Sequence, residues 1–254
     1  MRTALRAGLV LATAIVLSIA LPDLLRAVGA NVWAKQTFGA HGFYELFIAV
    51  GLAGVVIATM ALWRSGPGRA AGELGIAGFA AVGCAVCLVA ILAALCVLLL
   101  AGAGYRRPDP ADILLFGIAG PFAEEVFFRG FLFRQMRRWS DVPFLHAALV
   151  SSLLFGAGHF DQGSSIADSL MNSGITFAGG MMFCWLVERW ESVWPGFIIH
   201  AGLNVVWTLY TLGDNAVGGT VGNLARLATV AVAIAGTAML TRRPVPRESR
   251  AGGL

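Results

Sequence analysis

Apolar stretches of about 20 residues recur along the whole chain, and nothing else in the sequence restricts the fold as strongly. A hydrocarbon core about 30 Å thick takes roughly 20 helical residues to cross, and only helices or closed barrels satisfy their backbone polar groups inside lipid. The runs read as residues 5–22, 43–63, 74–103, 112–134, 143–162, 168–188, 193–212 and 219–241, parted by short loops of Pro, Gly and charge. The predicted fold class is therefore all-α, a polytopic membrane helical bundle of about eight transmembrane helices. Composition agrees. Of the 254 residues 58% are hydrophobic and 13% charged, with a mean hydropathy of +0.78, whereas soluble domains carry about 25% charged residues. The lipid bilayer is thus the first partner, and the same figures argue against nucleic acid.

The net charge of +4 is 18 Lys+Arg set against 14 Asp+Glu, and all but one of the basic residues are Arg. Arg2 and Arg6 precede the first apolar run as in a signal peptide, but no small-x-small site precedes the second run, so the first run reads as an uncleaved helix. With the N-terminus inside, inner segments hold twelve arginines: Arg2, Arg6, Arg64, Arg69, Arg134, Arg137, Arg138, Arg189, Arg242, Arg243, Arg247 and Arg250. Outer segments hold four basic residues, Arg26, Lys35, Arg106 and Arg107, and Arg129 and Arg226 fall within spans. The bias puts both termini in the cytoplasm, as an even helix count requires. Four parts follow: helices one to three over residues 1–111, a catalytic core over 112–212, an eighth helix over 213–241 and a short basic tail, 242–254, read as disordered. Cys84, Cys87, Cys96 and Cys184 lie inside apolar runs and read as small hydrophobes despite the Cys-x-x-Cys spacing.

An ionisable residue costs about 2.5–3.5 kcal/mol in a spanning helix. The fourth span has three within six residues in its middle, in Glu124-Glu125-x-x-x-Arg129. Glu125 and Arg129 are an i,i+4 pair on one face, while Glu124 points elsewhere. The bland reading, a buried pair that only stabilises the bundle, explains two of these charges and leaves Glu124 free for proton transfer. The fifth span ends in Phe155-Gly156-Ala157-Gly158-His159, and the seventh carries His200 and Asn204 at i,i+4. Singly, these are an interfacial histidine and an interhelical hydrogen-bond pair. Together, three helices bearing costly inward polar groups point to one site.

Such a set can polarise water and stabilise an oxyanion, which is hydrolysis. Glu124 is the expected base, with His159 orienting the water or sharing that role, while His200 and Asn204 act as oxyanion donors and Arg129 holds Glu125 as structural support. Glu124, His159 and His200 would also serve as a two-His-one-carboxylate zinc set, so the cofactor stays open between none and zinc; no His-Glu-x-x-His helix is present. Ser151 and Ser152 lack a nucleophile elbow, and His41 and His146, with no polar partner at helical spacing, read as structural.

The combination Glu124-Glu125-x-x-x-Arg129, Phe155-x-x-x-His159 and His200-x-x-x-Asn204 resembles the CPBP family of intramembrane proteases, which includes the Rce1-type CAAX prenyl endopeptidases and the bacterial Abi proteins. The likeness covers about residues 112–208, and Phe128-Arg129-Gly130 extends it. It implies that Glu124 is the catalytic glutamate, His159 its partner, and His200 with Asn204 the rest of the site. Because members have been called both glutamate proteases and metalloproteases, it leaves the metal undecided. A depth problem accompanies it. Counted from the outer end, Glu124 lies about 18 Å deep and His200 about 20 Å, but His159 only a few ångströms. Either the fifth helix is displaced inwards or residues 161–174 dip into the bundle as a cap, and the second is the expectation taken.

The rivals are a proton-coupled transporter using the same cluster, which lacks an inverted repeat here, and a structural subunit in which Glu124→Gln changes nothing. The expected function is an intramembrane endopeptidase acting on a membrane-associated peptide or protein tail. Without an organelle signal the expected location is a bacterial inner membrane, where prenylation is not expected; a small peptide or the C-terminal segment of another membrane protein is the favoured substrate.

Overall fold

The computed structural model describes residues 2–213 and 217–241. Among them are ten helices and no strand: α1 (Arg2–Ala27), α2 (Ala30–Phe38), α3 (Gly42–Trp63), α4 (Pro67–Glu73), α5 (Ala81–Leu100), α6 (residues 110–138), α7 (Phe144–Ala157), α8 (Ile166–Trp190), α9 (Trp194–Leu209) and α10 (Thr220–Leu240). Each of the eight predicted spans coincides with one of these. The chain is an all-α polytopic membrane bundle, in which α1, α3, α5, α8 and α10 are long and apolar enough to cross a bilayer. The other three are different in kind: α7 has 14 residues, α9 has 16, and α6 carries Glu124, Glu125 and Arg129 in its middle. The predicted tail, residues 242–254, with its four arginines lies outside the described residues.

Two boundaries depart from the sequence reading. The third span was expected from residue 74, but the helix starts at Ala81. Gly75, at φ +75°, turns the chain, and its carbonyl accepts from Val193 N–H at 3.1 Å. Ile76 O accepts from the Trp194 indole at 2.8 Å and Gly78 O from Ser192 Oγ at 2.5 Å. An apolar run thus avoids helix because the α8–α9 turn satisfies its carbonyls instead. The fifth span was expected to run to residue 162, yet α7 stops at Ala157, where the His159 side chain takes the Phe155 carbonyl at 2.8 Å and so caps the helix end. The short helices α2 and α4 occupy loops that hydropathy left without structure.

α6 is unusual throughout. Ile113–Ala119 and Glu125–Phe133 are wound in π fashion on either side of the α-helical stretch Gly120–Glu124. At the first junction Gly120 N–H bonds Leu115 O, a five-residue step. The next donor in that register would be residue 121, a proline with no N–H, which leaves Phe116 O open; Asn204 Nδ2 fills it from α9 at 3.0 Å. The main apolar core joins α1, α3, α6, α7 and α8 around Val10, Val55, Phe131, Phe133 and Cys184. A second core joins α5, α8, α9 and α10 around Cys87, Leu186, Ile199 and Ala233. Cys84, Cys87 and Cys184 are buried and Cys96 is exposed, all as free thiols.

Charge gathers at one end. Arg6 donates to Trp139 O at 3.0 Å, Arg138 Nε meets Glu73 at 3.1 Å, Arg134 Nε donates to Glu73 O at 2.9 Å, and Arg137 pairs with Glu188. Arg106, from the other predicted group, instead donates to Trp207 O and Tyr210 O at 2.7 and 3.0 Å.

Candidate active site

α6 and α9 approach closely because Gly196 has no side chain: a Cβ there would lie 3.1 Å from Glu125 Oε2. Glu125 and Arg129 are both fully buried, and Arg129 Nη1 donates to Glu125 Oε1 at 3.0 Å. The same carboxylate oxygen accepts from His200 Nδ1 at 2.9 Å. The expected i,i+4 pair is therefore a three-member chain, Arg129 to Glu125 to His200, running from α6 to α9. Its guanidinium end is caged rather than solvated, with its carbon 4.0 Å from the Phe155 ring centre, 5.0 Å from Phe183 and 5.8 Å from Phe128. Cation–π attraction replaces lost hydration there.

Phe155 organises the rest. Its ring meets His159 edge-on at 4.7 Å and His200 at 5.7 Å, while Phe183 of α8 stacks on His200 at 5.6 Å. The first residue of Phe155-x-x-x-His159 thus touches both imidazoles and the buried arginine. Ser151, one turn earlier, donates to Phe128 O at 2.9 Å and is fully buried, a structural tie between α7 and α6.

Glu124 faces this assembly from α6. Its Oε2 lies 3.6 Å from His200 Nε2 and 4.0 Å from His159 Nε2, and its side chain is 33% exposed. Nδ1 of His200 faces a carboxylate and Nδ1 of His159 a carbonyl, so each Nδ1 donates there and each Nε2 is turned towards Glu124. With neutral imidazoles three acceptors converge, at separations a little longer than a hydrogen bond. Such a place suits a water molecule, which donates to two acceptors while its oxygen stays available.

The depth problem has a simple answer. At 14 residues α7 spans only about 21 Å, so its end falls beside Glu124 instead of at the far edge of the bundle. The expected dipping cap is not found: Asp161, Gln162 and residues 164–167 are exposed, while Ser169 and Asn172 of α8 are buried and Asn172 donates to His159 O at 2.9 Å. Asn204 stands apart from the three acceptors, its amide on Phe116 O, and it lines an open cavity of about 510 Å³ with Arg106, Arg107, Asp112, Phe116 and Trp207. His41 has a partner that helical spacing could not reveal, Asp112 Oδ1 at 3.4 Å. Among the described residues no set of three His, Cys, Asp or Glu is grouped to hold a metal ion.

Comparison with known proteins adds an independent line. Residues 106–206 match the family described as type II CAAX prenyl endopeptidase Rce1-like. Over 95 residues the chain is 30% identical to "Putative membrane peptidase YdiL" of Bacillus subtilis (strain 168), a match covering 37% of this chain and 35% of that protein. The chain thus spans about a third of the length of the curated relative it matches. No solved structure matches it. All three polar motifs, from Glu124 to Asn204, fall within the matched residues 106–206.

Proposed function

We propose that the chain is an intramembrane endopeptidase that hydrolyses a peptide bond in a membrane-associated peptide or protein tail with water activated by Glu124. The observation that carries the reading is the convergence of Glu124 Oε2 with two imidazole Nε2 atoms, each histidine locked by a bond to its other nitrogen. Water held there gives a proton to Glu124 as its oxygen attacks the carbonyl carbon, a contribution of about 10²–10⁴-fold for a positioned base. His159 orients the water. His200, tied to the Glu125–Arg129 pair, and Asn204 are the residues assigned here to the oxyanion. Collapse of the tetrahedral intermediate breaks the C–N bond, and Glu124 returns its proton to the leaving nitrogen.

In this reading residues 112–212 are the catalytic core, supported by helices before and after it. The gathering of Arg6, Arg134, Arg137, Arg138 and Arg189 at one end supports cytoplasmic termini in a bacterial inner membrane. The substrate in this reading is membrane-held, either a small peptide or the C-terminal segment of another membrane protein. The test is to compare, by mass spectrometry, membrane and released peptides from cells carrying the parent or Glu124→Gln. Peptides cut only by the parent are expected; identical peptide sets from both strains would count against the proposal.

A further inference from the structure

We propose that Tyr44 is a further catalytic residue of this site, its phenol O–H donating to the carbonyl oxygen of the scissile amide as charge builds there. This rests on the hydrolytic reading above. Tyr44 stands on the first turn of α3, outside the stretch that carries the three motifs, and its ring packs on Phe116 at 5.2 Å and 30°. Phe116 is buttressed in turn by His41, edge-on at 5.3 Å. The Tyr44 hydroxyl rests directly on Gly120: a Cβ built there would overlap it and would lie 3.4 Å from Cζ.

Gly120 and Glu124 are i,i+4 within one α-helical stretch, so they share a face about 5–6 Å apart. The phenol is thus one turn from the carboxylate on that face, within reach of its charge. Among the described residues no group takes a hydrogen bond from the Tyr44 hydroxyl, although the side chain is half-buried in an apolar bundle. A tyrosine so placed normally finds a partner.

Tyr44 adds a donor to the site. With neutral imidazoles Glu124 Oε2, His159 Nε2 and His200 Nε2 are all acceptors, and Asn204 has one of its two N–H groups engaged on Phe116 O. His200 presents an N–H towards Glu124 only after taking up a proton. An oxyanion needs a donor that is present throughout, and the phenol is one. In the step proposed, the water oxygen bonds to carbon, the carbonyl π pair moves to oxygen, and the water proton passes to Glu124. Tyr44 keeps its own proton, sharing it with the oxyanion until C=O re-forms.

The test uses the purified full chain in liposomes with two probes, a lipid-anchored internally quenched peptide and a phosphonate analogue of it that mimics the tetrahedral anion. Tyr44→Phe should lower kcat by about 10²-fold, the usual cost of one oxyanion donor, with KM within about twofold, and should weaken phosphonate binding by a similar factor. Gly120→Ala, whose methyl displaces the hydroxyl without removing it, should act in the same direction, and the double variant should be no slower than the slower single one. Should Tyr44→Phe unfold, Gly120→Ala carries the test alone. Parental kcat and parental phosphonate affinity in Tyr44→Phe, with Glu124→Gln inactive, would overturn the assignment of Tyr44 and spare the hydrolytic reading. A parent that neither cleaves the peptide nor binds the phosphonate, or a Glu124→Gln protein as fast as the parent, would overturn both.

Discussion

Glu124 and Glu125 are the same side chain one residue apart, in opposite surroundings. Glu125 is fully buried, held by Arg129 at 3.0 Å and by His200 at 2.9 Å. Glu124 is 33% exposed and faces the Nε2 atoms of two histidines, with no arginine or lysine against it. The difference comes from helix geometry: consecutive residues point about 100° apart, so one enters the apolar seam between α6 and α9 and the other the gap beneath the end of α7. Burial with partners makes Glu125 a structural charge; convergence of acceptors makes Glu124 a reactive one.

The contrast is broken most directly by exchanging each carboxylate for its amide. Glu124→Gln keeps shape and hydrogen bonding but cannot accept the water proton, so cleavage should fall by about 10²–10⁴-fold while heat unfolding in detergent stays at the parental temperature. A large loss of stability in Glu124→Gln would merge the two roles and sink the distinction. Glu125→Ala should do the reverse first. Leaving Arg129 buried without its partner costs about 3–5 kcal/mol, visible as a lower unfolding midpoint. Replacing both residues by Met should recover much of that stability but none of the activity, since His200 then loses the carboxylate that fixes its Nδ1 proton.

Phe155→Leu sharpens the comparison at a smaller scale. It removes the ring that touches Arg129, His159 and His200 together, and losing one buried cation–π contact costs about 2 kcal/mol. Both kcat and the unfolding midpoint should drop, unlike the pure activity loss of Glu124→Gln. An unchanged midpoint would mean that the aromatic cage adds nothing to holding Arg129.

How much of this could be read beforehand depended on the range of the interaction. All eight apolar runs were legible as helices because hydropathy is local and summed over 20 residues, and five of them, α1, α3, α5, α8 and α10, are long and apolar enough to cross a bilayer. The grouping of Glu124, His159 and His200 was legible because isolated polar residues in apolar helices must meet. The early end of α7 was not, because the apolar run continues past Ala157 and the capping bond from His159 to Phe155 O depends on a rotamer. Nor was the non-helical path at Gly75–Gly78, whose carbonyls are satisfied by Ser192, Val193 and Trp194, more than a hundred residues away. Tyr44 and the His41–Asp112 pair were hidden for the same reason: their partners lie on another helix, and no spacing within α3 announces them.

Asn204 offers the finest test, because it lies one turn from His200 on the same helix yet serves the backbone of α6. Pro121 cannot donate to Phe116 O in the five-residue register set by Gly120, and the amide of Asn204 fills that gap at 3.0 Å. Asn204→Ala should therefore cost about 1 kcal/mol of stability, the usual worth of an interhelical hydrogen bond in a membrane protein. In a Pro121→Ala background residue 121 regains an N–H for Phe116 O, and the same Asn204→Ala change should cost close to nothing. Equal costs in the two backgrounds would show that the amide does not stand in for the missing proline donor. Unequal costs, with cleavage lowered equally by Asn204→Ala in both, would separate the tie to α6 from any contribution of Asn204 to the oxyanion.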